Sequence, residues 1–139
     1  MALTKGVDMA AKKQAKVTLS SLVLPGMLVL AWVFALSSQT APGAQPGDSA
    51  AAGDLRWLFY FAAWVFLVSS IMHSVFAHSM AKSIGWKTNG FQYEIAAASL
   101  GLGLASFYAA YHGLEAWVAT AIPIIAFLTL AGLNHLKEI

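Results

Sequence analysis

Cysteine is absent from the chain. Disulfides, thiolate metal ligands and dithiol redox chemistry are thereby excluded, and any bound metal would need histidine or carboxylate ligands. Charge is almost as scarce. Of 139 residues, 10% are charged and 59% hydrophobic, too little polar surface to cover a soluble globule, so the composition predicts an integral membrane protein of one domain. Arginine occurs once, as Arg56. No GxSxG, HExxH, GxxxxGKS/T or GxGxxG pattern is present, so no motif supports a hydrolase, a zincin, a P-loop or a dinucleotide site. The net charge of +2 comes from lysines suited to anionic lipid headgroups, and no nucleic-acid partner is expected.

The lysines are distributed unevenly among four apolar stretches. Lys5, Lys12, Lys13 and Lys16 precede the first, Lys82 and Lys87 separate the second from the third, and Lys137 follows the fourth. Basic residues are retained in the cytoplasm when helices insert. The pattern therefore predicts an all-α, four-helix transmembrane bundle in the prokaryotic inner membrane, multi-pass, with both termini cytoplasmic. A basic segment, residues 1–16, leads into a four-helix domain, residues 17–139, with spans over about 17–36, 55–80, 91–111 and 117–134. The first span is longer than a signal-peptide core of about 7–15 residues, so it is expected to remain as an anchor, although Ala41, Gly43 and Ala44 are small enough for a cleavage site. Pro25 predicts a kink within it. Residues 37–54 carry two Pro, three Gly and two Asp and read as a mobile external loop. Trp57 and Tyr60 suit the outer interface and Trp86 the inner one.

The third span carries Ala97, Gly101, Ala105, Ala109 and Gly113 at intervals of four. Small residues at that spacing predict a groove for close helix packing, against this chain or another copy. Ser99 and Gly103 form a second small pair.

Alternating the topology places His73, His78, Gln92, Glu94 and His135 at one cytoplasmic depth. Ionisable groups near hydrocarbon are candidate functional residues. Glu94 could carry protons, act as a general base or ligate metal; it could equally be a helix N-terminal carboxylate stabilised by backbone N–H groups and Lys87. His73 and His78 are five residues apart, about 140° around the helix, and do not form an i, i+4 chelate. With His135 and Glu94 they could ligate zinc, iron or manganese, and two histidines on different helices could hold haem. On the opposite side Asp54, Arg56, His112 and Glu115 read as solvated surface groups.

The run IGWKTNGFQYEIAAASLGLGL, followed by GLNHLKEI near the C-terminus, resembles a family of small prokaryotic four-span membrane proteins of uncharacterised function. The shared features are Gly85, Trp86, Phe91, Gln92, Glu94, Gly101, Gly103, His135 and Glu138, and the resemblance implies a topology without an activity. Four-span glutathione-using enzymes hold their anionic cofactor with arginines, and a lone Arg56 does not match them. Small multidrug exporters place their buried Glu in the first helix, which here has no charge. The expectation is an accessory subunit of a membrane complex, or a self-associating protein, rather than an enzyme. A membrane redox or metal/haem protein is the alternative, and a proton-linked transporter centred on Glu94 a third.

Overall fold

The computed structural model describes residues 19–37, 39–84 and 87–137, with the side chains of residues 19–21, 24, 83, 84 and 135 outside the described set. The basic segment 1–16, Gly85, Trp86 and Glu138 also lie outside the described residues. The described chain is all helical: α1 (Leu19–Leu36), α2 (Ala50–Ser74), α3 (Ala77–Ile84), α4 (Gly90–Tyr111) and α5 (Leu114–Lys137). Two helices, Ala50–Ser74 and Leu114–Asn134, are long and apolar enough to cross a membrane, and most of each lies outside the chain's own core.

Helix starts follow local capping chemistry. Ser49 has extended backbone and its Oγ accepts from Ala52 N–H, which starts α2 five residues ahead of the expected entry at Leu55. Asn89 does the same for α4 by accepting from Phe91 N–H. Pro25 and Pro123 both sit within helices, α1 and α5 respectively. The second apolar stretch is not one helix to residue 80. At Val75–Phe76 the Ile71 carbonyl accepts from both Val75 N–H at 2.9 Å and Phe76 N–H at 3.3 Å. That widened turn divides α2 from α3.

The central pair is α2 and α4, packed antiparallel. On α4 the buried residues are Gln92, Ala96, Ser99, Gly103, Ser106, Ala109 and Ala110, and on α2 Arg56, Phe59, Ala63 and Phe66. Spacings that alternate between three and four keep one straight seam facing its partner. Small side chains let the backbones approach closely: a Cβ added to Gly103 would lie 3.1 Å from Leu67 Cδ2 and 3.2 Å from the Ala63 carbonyl. Phe34 joins α1 to α2 by packing on Trp57 and Phe61, and Tyr60 and Trp64 meet Phe107 edge-on. Trp117 donates to Ala109 O and Thr120 to Ala105 O, which pairs α5 antiparallel with α4.

Polarity is inverted relative to a soluble domain. Among the described residues the buried apolar set has eleven members, nine of them alanine, whereas 27 large hydrophobic side chains are exposed, concentrated on α1 and α5. Burying one such side chain is worth about 1.5–3 kcal/mol. The apolar surface left uncovered therefore represents tens of kcal/mol, more than the roughly 5–15 kcal/mol by which domains are stable. A surface of this kind suits an apolar medium or partner.

Candidate functional site

Three constructions are built from polar or small residues, and each tests a different expectation. The first lies where α2 begins. Arg56 is not solvated: it is 3% exposed. Its Nε donates to Asp48 Oδ2 at 2.8 Å, and one terminal nitrogen donates to Ala110 O at 2.9 Å and His112 O at 3.0 Å. The guanidinium also lies 5.4 Å from the Trp117 ring centroid. A buried cation is tolerated only when its donors are used. Here they satisfy carbonyls at the C-terminal end of α4, where the helix dipole also favours a cation. His112 and Glu115 are exposed, as expected, and Asp54 is half-buried.

The same contacts correct the expectation of a mobile loop. Gln45 N–H donates to Asp48 Oδ2 at 2.8 Å, and Trp57 Nε1 donates to Gln39 O at 3.1 Å. Ala41 is buried. Gly43 adopts φ +76°, and a Cβ there would fall 2.6 Å from Ala110 O and 2.7 Å from Tyr111 Cα. The loop is thus a strap fastened across the end of α4. Gly43→Ala is expected to destabilise the chain by more than about 1 kcal/mol, through both the left-handed backbone and the clash; thermal unfolding in detergent measures it.

Asp48 gives the strap a defined pH response. The Arg56 hydrogen bond, followed by the Gln45 N–H, holds its carboxyl below the ordinary value of 3.8. A carboxylate with a lowered folded-state pKa stabilises fully above its unfolded pKa and loses that contribution as pH falls through the folded one. The strap is therefore expected to hold from neutral pH down to 3.8 and to loosen only in stronger acid. Hydrogen exchange at Gln45 N–H against pH reads this directly. Loosening already near pH 6 would contradict the geometry.

The second construction is the polar seam between α2 and α4. Ser69 and Ser99 share a hydrogen bond of 3.2 Å, Ser106 Oγ donates to Leu102 O, and Gln92 Nε2 donates to Ala77 O at 3.3 Å. Gln92 is 7% exposed, and its Oε1 meets no donor among the described residues. Of the expected cytoplasmic layer, His73 is half-buried and makes a polar or ring contact, whereas His78 and Glu94 are exposed. The His135 side chain lies outside the described residues. No group of three His, Asp or Glu that could hold a metal occurs among the described residues. Gln92 makes a defined interhelical bond, to Ala77 O.

The third is the small-residue groove. Within the chain only Ala109 of the five is buried; Ala97, Gly101 and Gly113 are exposed and Ala105 half-buried. A strict interval of four advances about 400°, so each step precesses some 40° around the helix. The stripe winds across the α2-facing seam at Ala109 instead of following it. The Ser99–Gly103 pair lies on that seam, and the stripe is left on the outside, where a Cβ at Gly101 would meet nothing within 4 Å.

The Asp48–Arg56 pair and the left-handed turn at Gly43 are not evident from the residues alone. The available signal was the lone arginine at the start of an apolar helix, just after an acidic turn. Arginine's fixed fork of donors suits buried multidentate pairing better than lysine. Neither a curated protein nor a solved structure matches the chain. A family model does match, over residues 21–139, and the chain belongs to that family, the family of unknown function DUF6790.

Proposed function

We propose that the chain is a four-span protein of the prokaryotic plasma membrane, with both ends cytoplasmic, which works through helix packing as an accessory subunit or by self-association. The inverted polarity carries this reading: a core of alanine, serine and glycine inside a perimeter of large apolar side chains. In lipid that perimeter costs nothing, while small-residue seams and interhelical hydrogen bonds supply cohesion. The helix lengths support it. At 1.5 Å per residue, the 18, 25, 22 and 24 residues of α1, α2, α4 and α5 give about 27–38 Å, against a hydrocarbon core of about 30 Å.

Among the described residues, the polar groups tie helices to one another. Arg56 closes α4, Ser69 meets Ser99, and Gln92 holds the α2–α3 junction. A packing protein needs these contacts and requires no reaction centre. The exposed members of the stripe within α4, Ala97 and Gly101, mark the surface on which a second helix from another chain would settle. Gly101→Leu is therefore expected to leave the fold intact, with a melting temperature within about 2 °C of wild type, and to reduce association on sizing in mild detergent. Wild-type protein that runs as a lone monomer, both pure and from native membranes, would sink the packing role.

A further inference from the structure

We propose that α3 forms a shelf whose Lys82, together with Lys87 beyond it, binds anionic phospholipid headgroups. The proposal rests on the membrane reading and assigns that reading a lipid class. Length is the first argument. The 25 residues of α2 reach about 38 Å at 1.5 Å per residue, already beyond the roughly 30 Å of hydrocarbon. The polar α3 follows that span and so lies at the acyl boundary.

Second, α3 has two faces. Ala77 and Ala81, one turn apart, are buried, while His78 and Lys82, also one turn apart, are exposed. Gln92 Nε2 bonds Ala77 O, so the buried face is fixed to α4. Val75 and Phe76 are exposed at the junction, and Phe91 is exposed at the start of α4. Apolar side chains beside a polar, basic helix match the boundary between acyl chains and headgroups.

Third, the charges complement an anion. Trp117 opposite Ala109 and Thr120 opposite Ala105 set a hairpin register that carries Lys137 back toward the start of α4. Lys82, Lys87 and Lys137 are exposed at that end and Glu94 is the one carboxylate there among the described residues. The ion pair found among the described residues, Arg56–Asp48, lies at the other end. These lysines are available to lipid phosphates, each strengthening attraction to an anionic surface by about fivefold.

The test uses the full chain in nanodiscs of phosphatidylcholine with trace spin-labelled phosphatidylglycerol or phosphatidylcholine. Wild-type protein is expected to immobilise labelled phosphatidylglycerol in preference, and K82Q/K87Q to lower that preference by about tenfold or more. K82R/K87R should keep it, and millimolar inorganic phosphate should not displace the lipid. Equal immobilisation of the two lipids by wild type, an unchanged preference in K82Q/K87Q, or displacement by phosphate would overturn the proposal while leaving the membrane reading in place. A chain that fails to float with phosphatidylcholine vesicles after alkaline washing would overturn both.

Discussion

Arg56→Met is expected to lower stability by about 3 kcal/mol or more, since two charge-assisted bonds to carbonyls are lost at about 1.5–3 kcal/mol each. Methionine keeps the apolar stem and leaves Ala110 O and His112 O without the donor that holds them. The strap should come loose with it, because Asp48 loses its cation. Asp48→Asn separates the two roles. It keeps the bonds from Arg56 to α4 and weakens the tie to the strap, so protection of Gln45 N–H should fall while global unfolding shifts less than in Arg56→Met. Unfolding in detergent together with hydrogen exchange distinguishes these outcomes. Equal, small effects of both variants would show that the guanidinium is not the clamp described.

The second large effect is expected at Gly103. A side chain there meets Leu67, which can rotate, and the Ala63 carbonyl, which cannot move without its helix. Gly103→Ala should therefore cost about 1 kcal/mol, whereas Gly103→Leu should force α2 from α4 and cost at least about 3 kcal/mol. Gly101→Leu, two residues away and on the open side, is the matched control. If unfolding experiments rank Gly101→Leu as the more damaging, the α2–α4 seam is misassigned.

The contrast between those glycines shows how much of the fold is legible in the sequence. The helices were legible because long apolar runs and turn-forming loops survive in composition, and α4 begins within one residue of its expected start. The rotation of α4 was not. Small residues occur on more than one of its faces, and interval counting favoured the strict four-residue series over the alternating three-four series that packs. Depth along the membrane was likewise easier to infer than contact. Gln92 and Glu94 are two residues apart, and one is buried against the α2–α3 junction while the other is exposed. The strap was hidden for a different reason. Its order comes from one arginine reaching a carboxylate eight residues earlier and carbonyls more than fifty residues later, and no local pattern records such closure.

The cysteine-free sequence permits a direct test of the central claim, that four alternating helices cross the bilayer with α3 inside and the strap outside. Thr40→Cys and Ser79→Cys place single thiols at exposed positions, one on the strap and one on α3. In intact cells an impermeant maleimide is expected to label the cysteine at position 40, and to label that at position 79 only after the membrane is opened. Labelling of both positions, or of position 79 alone, in sealed cells would contradict the account.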